Sequence, residues 1–500
     1  MLPAACQHTK HLNKQRIPMK LFRLTLSADC STPVAVFASL RDAHECFLLE
    51  SAEGGEHWGR YSMIGVAPSA IAVEKQHQLH IRYRQGEAEI QDCSIQQWIR
   101  QQVIETDKVE GGDDLPFTGG AVGYFAYDIV HQFEPGVAEV DVATPLAACM
   151  IIDRFVIMDS LRGVMHVCVL DNDAETAQVL LNTLAERITQ AKPPAPMRFD
   201  IDTSKLSQPH AHMSAEDYQA MVVRAKEYIL AGDVFQVVLS QRFSSPLRGD
   251  PLAIYRAVRH INPSPYLFYL HLDDTILIGS SPEILVKKEG SRAIVRPIAG
   301  TRPRGQTTQQ DVALEKELLA DEKELAEHVM LVDLGRNDLG RVCEFGSVEV
   351  SESMCIERYS HVMHIVSQVE GTLREDVDAL DLLAATFPAG TLSGAPKVRA
   401  MQIIQEQESE ARGPYGGCIG YISFGGVDMD TAIIIRTAVI RDDTIFVQAG
   451  AGIVADSDPA KEHQECVNKA SAMFRSVAMA DALNQALNQA QTKSEQETTS

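Results

Sequence analysis

Two amphipathic helical segments, far apart in the sequence, each carry paired glutamates opposite their apolar residues. At 3.6 residues per turn, the segment DEKELAEHVMLVDLGRNDLGR places Glu324 and Glu327 one turn apart. Roughly opposite them lies an apolar stripe of Leu314, Leu318, Leu325, Val329 and Val332. From Pro459 to about Val477 the pattern recurs, with Val467, Ala470, Phe474 and Val477 on one side and Glu462, Glu465 and Lys469 on the other. The fold must either leave both acidic faces in water or bring them together.

A hard divalent cation would explain acidic faces that meet. Two Glu-x-x-Glu faces in contact would form an oxygen-only cage, and Mg2+ is held in proteins by a few carboxylates, several waters and an anionic substrate. For a single Glu-x-x-Glu segment, a solvated charged face is the more common explanation. The pair predicts a Mg2+ site if the fold joins the two segments.

The composition excludes several classes of protein. With 45% apolar residues, a chain of 500 residues can bury a large core, and this length indicates roughly two to four compact units. No apolar run of about eighteen residues occurs, so no membrane-spanning helix is predicted. The formal charge of −23 disfavours nucleic acid and anionic membranes as partners. An anionic ligand would therefore need local positive charge from a metal, Arg or Lys.

The cysteines and the N-terminus indicate a cytoplasmic protein. The ten cysteines form no Cys-x-x-Cys pair and have no regular spacing, which is typical of reduced thiols rather than of disulfides or zinc ligands. The N-terminal stretch is basic but lacks the apolar core of a secretory signal. We interpret residues 1–16 as a disordered leader, with Met19 as an alternative start.

The remaining pattern predicts an α+β fold. From about Ile17 to Leu170, short segments with alternating polarity indicate half-buried antiparallel strands; they include VAVFASL, HECFLLES, GRYSMIGV, HQLHIRY and FVIMDSLRGVMHVCVL. A helical run closes this first region, 17–190, and the proline-rich stretch 191–213 is a linker candidate. Ser214 begins a capped helix that Gly232 ends, and strands and helices at irregular intervals continue to 478. The repetitive tail 479–500 is predicted to be disordered.

Three glycine-rich motifs do not indicate nucleotide binding. Gly119, Gly120 and Gly123 lack the dinucleotide spacing and precede a strand-like segment, so they are interpreted as points of close backbone approach. GTRPRG and SGAPK lack the Gly-Lys-Ser/Thr ending of a phosphate loop.

A resemblance to a known family is carried by six longer motifs in a fixed order. They are PIAGTRPRG, DEKELAEHVMLVDLGRND, ERYSHVMHIVSQVEG, FPAGTLSGAPKVRAM, RGPYGGCIGY and GAGIVADSDPAKEHQECVNKA. The chain closely resembles the chorismate-utilising enzymes, and among them the anthranilate synthase component I family, from Ser214 to about Val477. A weaker match begins at LLESAEGGEHWGRYSMIG. The resemblance implies an antiparallel β-sandwich core of two large sheets with helices packed outside, a catalytic region at 214–478 and a regulatory region at 17–190.

The resemblance also assigns binding residues. Mg2+ would be coordinated mainly by Glu327 and Glu465, with Glu324 and Glu462 reaching it directly or through water. The substrate would be chorismate, whose ring carboxylate meets the metal. Its enolpyruvyl carboxylate would be held by a bidentate arginine, a tyrosine and backbone N–H groups, namely Arg436, Tyr415, Gly450, Ala451 and Gly452. Further substrate contacts would come from Gly300, Thr301, Thr391 and Lys469.

Two positions indicate the subtype within this family. Relatives that make aminodeoxychorismate carry an attacking lysine where this chain has Ala299, so a covalent lysine route is excluded. Relatives that add water carry a lysine base where this chain has Gln236. Both departures leave ammonia as the nucleophile.

The implied reaction is a lyase reaction that gives anthranilate, the first step of tryptophan biosynthesis. Ammonia attacks the ring carbon beside the carboxylate-bearing carbon while the 4-hydroxyl leaves, and Glu283 protonates that hydroxyl, which requires a carboxyl kept neutral by burial. The aminated intermediate then loses pyruvate and aromatises with help from His364, while Thr301 positions the ring.

Partners follow from what the chain lacks and from its N-terminal half. No glutaminase motif is present, so the resemblance implies a separate glutamine amidotransferase subunit, commonly in a heterotetramer. A pocket for feedback inhibition by tryptophan would be formed by Ser51, Pro265, Tyr266 and Leu267.

Two alternatives remain open from the sequence. The chain could be an aminodeoxychorismate or isochorismate-type enzyme, which one product assay would reveal. It could also be a catalytically silent protein that binds tryptophan and a glutaminase, although the retained acidic, histidine and arginine positions favour catalysis. The sequence leaves undetermined the oligomeric state, the tryptophan affinity, the ammonia route and the choice between primary and specialised metabolism.

Overall fold

The computed structural model describes residues 19–42, 44–51, 59–140, 142, 144–197, 209–359 and 362–498, with side chains as far as 482. The expected leader, 1–16, and positions 198–208 of the expected linker lie outside the described residues. Within this part of the chain, no helix is both long enough and apolar enough to cross a membrane.

Strands make up most of the molecule. They are β1 Lys20–Ser27, β2 Cys46–Glu50, β3 Tyr61–Val66, β4 Ala70–Lys75, β5 Gln78–Tyr83, β6 Ala88–Gln91, β7 Gly120–Phe125, β8 Ala147–Ile152, β9 Arg154–Asp159, β10 Val164–Asp171, β11 His210–Ala211, β12 Gln236–Pro246, β13 Tyr266–Leu272, β14 Thr275–Ser281, β15 Ile284–Glu289, β16 Arg292–Val295, β17 Ile298–Pro303, β18 Glu349–Arg358, β19 Val362–Thr372, β20 Gly394–Ala395, β21 Cys418–Ser423, β22 Asp428–Ile433, β23 Thr437–Arg441 and β24 Thr444–Ile453. The α-helices are α1 Pro33–Leu40, α2 Ile95–Ile99, α3 Val130–Phe133, α4 Ala174–Gln190, α5 Ala215–Ala231, α6 Pro251–Ile261, α7 Thr308–Ala320, α8 Glu322–Gly340, α9 Ala379–Thr386, α10 Gly390–Ser393, α11 Lys397–Gln407 and α12 Pro459–Thr498.

The strands form two large antiparallel sheets. The first sheet has the order β1-β10-β9-β3-β2-β13-β14-β23-β24-β12-β11, with β20 also paired to β12. The second sheet has the order β17-β19-β16-β15-β22-β21-β7-β8-β4-β5-β6, with β18 also paired to β19. The predicted α+β class, with two large sheets and helices outside them, is confirmed.

Both sheets run across the sequence boundary between 17–190 and 214–478. In the first sheet β2 pairs with β13, and in the second β7 pairs with β21. The largest hydrophobic cluster likewise combines apolar residues of both sheets and of both regions, among them Phe47, Val122, Phe268 and Ile419. The two regions are therefore successive in sequence but share their sheets and their core.

Helices cover the outer faces of the sheets. Apolar residues of α1, α4, α6 and α12 pack on the first sheet in a second cluster. The helices α5, α11 and α12 cover β12 and β24 in a third. On the second sheet, Leu318 of α7 packs on Met363 and Ile365 of β19.

Several local predictions are confirmed. Ser214 caps α5 by accepting the Asp217 N–H at 3.1 Å, and Gly232 ends this helix with φ of 87°. A Cβ at Gly120 or Gly123 would lie 2.1 Å from a carbonyl oxygen of the neighbouring strand. These glycines therefore permit the close backbone approach that the sequence predicted.

Three local predictions need correction. The segment VAVFASL is helix α1 rather than a strand, because Thr32 accepts the Ala35 N–H at 3.2 Å and Pro33 occupies the first helical turn. The acidic helix is two helices, because Asp321 adopts an extended backbone between α7 and α8; this changes the register of the apolar stripe and leaves Val329 44% exposed. Helix α12 continues to Thr498 through the tail expected to be disordered, whose Ala, Gln and Leu residues favour helix.

Candidate active site

The acidic face of α8 is held against strand β17. Asp321 caps α8 by accepting the N–H groups of Lys323 and Glu324 at 3.1 and 3.3 Å, and it also accepts a bond from Arg302 of β17 at 2.8 Å. Gly300 has φ of 73°, and a Cβ there would lie 3.2 Å from Glu324 Oε2. Glycine at this position therefore lets β17 approach the α8 carboxylates closely.

Gln236 links α8 to the first sheet. Its side-chain Nε2 donates to Glu327 Oε1 at 3.2 Å, and a Cβ at Gly452 of β24 would lie only 2.4 Å from the same nitrogen. The amide thus lies between the α8 carboxylate and the β24 backbone. Gln236 is 7% exposed, so its contact with Glu327 is largely shielded from water.

The acidic face of α12 reaches the same part of β24. Lys469 Nζ donates to the Gly450 carbonyl at 2.9 Å and forms an ion pair with Glu465 at 2.7 Å. Burial raises the pKa of Glu462, and the positive charge of Lys323, on α8, lowers the same pKa. Lys323 of α8 and Glu462 of α12 therefore lie within electrostatic reach of each other near β24, and the shared metal site remains a prediction.

The carboxylates suit a cation that is held by few protein oxygens better than a cation that is enclosed by four glutamates. Burial raises the pKa of Glu324, and the neighbouring Glu327 raises it further; Glu465 acts in the same direction on Glu462. Hard oxygen donors that repel one another suit Mg2+. Among the described residues, however, no three His, Cys, Asp or Glu side chains are grouped closely enough to hold a metal. A preassembled cage of four glutamates is thus not formed.

Glu283 lies in a water-poor corner of the same region. Burial raises the pKa of this carboxyl, while the Thr391 hydroxyl, which donates to Glu283 Oε2 at 2.8 Å, lowers it. The positive charges of Arg436 and Lys469 also lower it. Glu283 and Thr391 line a small cavity of about 60 Å³ between α8, α10 and β15. A carboxyl in such surroundings can hold a proton that it donates to a leaving group.

His364 has a defined tautomer. Its Nδ1 lies 3.1 Å from both the Gly300 carbonyl oxygen and Thr301 Oγ1. Because a carbonyl oxygen only accepts, Nδ1 carries the proton of the neutral ring, and Nε2 is left with the lone pair. Burial lowers the pKa of His364. The imidazole is thus held neutral, as a proton acceptor requires.

The residues expected to bind a substrate carboxylate occupy one side of β24. Gly450, Ala451 and Gly452 pair with Ser240, Leu239 and Val238 of β12. Ala451 is fully buried in the cluster beneath α5 and α11, so it contributes only its backbone. A Cβ at Gly450 would lie 2.8 Å from the Tyr415 hydroxyl. The Tyr415 hydroxyl therefore lies over Gly450.

Arg436 has an unusual backbone between β22 and β23. Its φ is 49°, in the left-handed region that few non-glycine residues adopt. Its charge lowers the pKa of both Glu283 and His364, which places the guanidinium within electrostatic reach of both groups. Such local strain is found at functional positions.

A buried ion pair beneath the site was missed at the sequence level. Arg412 donates to Glu408 at 2.6 and 2.8 Å, and also to the carbonyls of Leu392 and Val238 at 2.6 and 2.7 Å. It thereby joins β12 to the end of the helix that carries Thr391. The spacing of four between Glu408 and Arg412 was a signal, but surface pairs have the same spacing.

The residues expected to bind an inhibitor lie apart from these groups, in a cavity between the two sheets. Its volume is about 930 Å³, and its lining includes all four, namely Ser51, Pro265, Tyr266 and Leu267. The Ser51 hydroxyl is buried, without a hydrogen-bond partner among the described residues. Tyr266 donates to Asp430 at 3.2 Å. The lining of the cavity thus combines apolar residues with polar and charged ones, among them Arg296 and Asp430.

Comparison with known proteins supports the assignment to the chorismate-utilising enzymes. The family model described as "chorismate binding enzyme" matches residues 44–475. Anthranilate synthase component 1 of Pseudomonas aeruginosa is 47% identical over 479 residues, which cover 93% of this chain and 96% of that protein.

Solved structures give the same result. The crystal structure of anthranilate synthase component I from Streptococcus pneumoniae is 36% identical with a TM-score of 0.74, covering 90% of this chain and 98% of that one. The menaquinone-specific isochorismate synthase of Escherichia coli, 19% identical with a TM-score of 0.68 over 93% of this chain and 96% of that one, shares the fold. The chain therefore belongs to the chorismate-binding enzyme family, as a member of its anthranilate synthase component 1 branch.

Proposed function

We propose that this protein converts chorismate and ammonia into anthranilate and pyruvate, with Mg2+ as cofactor, as the first step of tryptophan biosynthesis. The observation that carries the proposal is the arrangement around β24. There Glu327 of α8 contacts Gln236, Lys469 of α12 contacts the Gly450 carbonyl, and the positive charges of Arg436 and Lys469 act on Glu283.

The nature of residues 236 and 299 supports amination over the other family reactions. Gln236 contacts Glu327 and has no basic nitrogen with which to activate water. Ala299, on β17, has no nucleophile, so the covalent route is closed. Uncharged ammonia needs neither group, because its own lone pair attacks.

We assign the first chemical step to Glu283. Ammonia forms a bond to the ring carbon beside the carboxylate-bearing carbon, both ring double bonds shift by one position, and the bond to the 4-hydroxyl breaks. The new ammonium group then loses a proton to solvent. Glu283 gives its proton to that hydroxyl, which leaves as water. The raised pKa of Glu283 keeps the proton available, and Thr391 orients the carboxyl by donating to its Oε2.

We assign the second step to His364. The ring carbon that bears the new amino group loses its proton, and the bond between the neighbouring ring carbon and the enolpyruvyl oxygen breaks. The ring becomes aromatic, and the enolate that leaves takes up a proton at its methylene carbon to give pyruvate. His364 Nε2 has the lone pair that this proton transfer requires, because Nδ1–H is directed to the Gly300 carbonyl. Thr301, which contacts Nδ1, helps to hold the ring.

Substrate binding depends on complementary charge. Arg436 and Tyr415, with the backbone from Gly450 to Gly452, suit the enolpyruvyl carboxylate, and Lys469 adds a cation beside Gly450. Glu327 and Glu465 would hold Mg2+, with Glu324 and Glu462 reaching it directly or through water. Bound Mg2+ would supply positive charge for the ring carboxylate in a chain whose formal charge is −23.

The proposal includes a partner and a location. The component 1 names of the relatives imply a second component, for which we propose a glutamine amidotransferase that releases ammonia, with a heterotetramer as the assembly. The nine cysteines among the described residues are free thiols, which supports a cytoplasmic location.

We further propose tryptophan as a feedback inhibitor that binds in the cavity between the sheets. The Ser51 hydroxyl, which has no hydrogen-bond partner in the described part of the chain, suits a polar group of an amino acid, and Pro265 and Leu267 supply apolar contact for an indole ring. The cavity is large enough for such a ligand.

One assay tests the reaction. The purified chain is incubated with chorismate, ammonium and Mg2+, and products are separated while anthranilate fluorescence is followed. Anthranilate that appears with ammonium but not with glutamine alone supports the proposal. Aminodeoxychorismate or isochorismate as the product would assign the chain to another subtype, and undiminished turnover in Glu327→Gln or Glu465→Gln would refute the metal assignment.

A further inference from the structure

The His364 imidazole is held on two sides. On one side, β17 supplies the Gly300 carbonyl and the Thr301 hydroxyl. On the other, the ring of Tyr359 meets that of His364 edge-on, with centroids 5.5 Å apart and planes at 65°. Tyr359 follows β18 directly and so depends on how that strand ends.

Glu357 fixes the end of β18. It lies directly opposite His364 in the β18–β19 register, and its Oε2 accepts a bond from the Tyr359 hydroxyl at 2.8 Å. Its negative charge also raises the pKa of His364, whereas the positive charge of Arg436 lowers it. Glu357 therefore acts on His364 both through Tyr359 and through space.

Arg296 and Glu357 both line the inhibitor cavity. One guanidinium nitrogen, Nη2, donates to Glu357 Oε1 at 2.8 Å and to Glu352 Oε2 at 3.2 Å. The Arg296 side chain is only 10% exposed. It lines both the small cavity beside Glu283 and the large cavity that contains Ser51. It is thus a direct physical link between the two places.

We propose that Glu357, acting through Tyr359, positions the His364 imidazole for proton transfer, and that Arg296 couples this group to occupancy of the cavity between the sheets. An amino-acid carboxylate in that cavity can accept the N–H groups that now serve Glu357. Release of Glu357 then frees Tyr359 and changes the orientation of the imidazole. The inference rests on the proposed function, since it names a positioning group for that reaction and a route for its inhibition.

The chain offers a matched pair of variants. Glu357→Gln and Glu352→Gln each remove one charge that faces Arg296 Nη2, but only Glu357 lies opposite His364; Glu352 pairs with Gln368 instead. A merely structural role for acidic partners of Arg296 predicts similar effects from both. A positioning role predicts an effect from Glu357→Gln alone.

We expect Glu357→Gln to lower kcat about 10- to 100-fold, a part of what general acid–base groups contribute, with KM for chorismate changed less than about twofold. The acid limb of the pH profile should move to lower pH, because loss of the Glu357 charge lowers the pKa of His364. Glu352→Gln should match the wild type in both. Equal behaviour of the two variants, or an unmoved acid limb in Glu357→Gln, would overturn the positioning role.

The coupling between His364 and occupancy of the cavity is measured separately. Calorimetry should give Glu357→Gln a tryptophan affinity at least equal to that of the wild type, because the carboxylate that competes for the Arg296 N–H groups is gone. Saturating tryptophan should nevertheless leave a larger residual fraction of the activity of this variant. Full inhibition of this variant would overturn the coupling. If Glu357→Gln does not fold, Tyr359→Phe, which keeps the ring but loses the bond to Glu357, should lower kcat about 3- to 10-fold as one hydrogen bond implies.

Failure of the proposed function gives a different result. A wild-type protein that neither binds tryptophan nor is inhibited by it refutes the inhibitor proposal, yet the kcat and acid limb of Glu357→Gln still decide the positioning role. A wild-type protein that makes another product refutes the proposed reaction, and the same pair of variants then tests His364 in that reaction.

Discussion

Gly452→Ala should impair catalysis while leaving the fold intact. The new Cβ would lie 2.4 Å from Gln236 Nε2, about 1 Å inside ordinary van der Waals contact, so the amide must move. The neighbour is the end of a flexible side chain, and Gly452 does not need a positive φ. The loss of stability should therefore stay below about 1 kcal/mol.

The effect on activity follows from the contact that Gln236 would lose. A hydrogen bond to a charged group contributes about 1.5 to 3 kcal/mol, and Gln236 donates to Glu327 at 3.2 Å. If this contact holds Glu327 in its reactive position, kcat/KM should fall about 10- to 150-fold. The assay is anthranilate formation from chorismate and ammonium, with urea unfolding to confirm the small change in stability.

A double-mutant cycle identifies the cause. In a Gln236→Ala background the displaced amide is already gone, so Gly452→Ala should have almost no further effect on kcat/KM. Gly340→Ala is the control, because a Cβ there has no atom within 4 Å. Additive losses in the double variant would refute the reasoning.

Three further predictions concern acid strength, stability and regulation. Thr391→Val removes the hydrogen bond that lowers the pKa of Glu283, so this pKa should rise. Because Glu283 must be protonated to act as the acid, the variant should keep its activity to higher pH than the wild type does. An unmoved basic limb of the pH profile would contradict the assignment. Arg412→Met leaves the buried Glu408 carboxylate without its charged partner, so the free energy of unfolding in urea should fall by about 3 to 5 kcal/mol. Adding Glu408→Gln should recover part of this loss. A loss under about 1 kcal/mol would show that the pair is dispensable. Ser51→Ala should weaken tryptophan binding by calorimetry at least several-fold without changing kcat, and wild-type inhibition would exclude this hydroxyl from the inhibitor site.

Helical periodicity was enough to identify the two acidic faces. Glu324 and Glu327, like Glu462 and Glu465, repeat every three residues on amphipathic helices; in the structure Glu327 of α8 contacts Gln236 of β12, and Lys469 of α12 contacts Gly450 of the paired strand β24. Periodicity could not locate the break at Asp321, because the sequence Leu-Ala-Asp-Glu-Lys continues a helical pattern. It also could not locate the partners of each face, since these depend on strands far away in the sequence.

The α+β class was predictable, but the sheet order was not. Alternating polarity identified most strands, whereas the misassigned α1 contains Val34, Val36 and Phe37, residues that also favour strands. Pairing between β2 and β13 depends on tertiary packing that no local pattern contains. The same holds for the links among Arg296, Glu357 and His364, whose residue types alone do not distinguish them from surface charges.

The shared sheets have a consequence for synthesis of the protein in the cell. Strand β7 can pair with β21 only after the ribosome has made about 290 further residues. At ordinary elongation rates their synthesis takes roughly 15 to 60 s. During that time a nascent chain displays an apolar strand edge that can pair with other polypeptides. Chaperone dependence in vivo, and aggregation of chains truncated before Cys418, would be the visible signs of this delay.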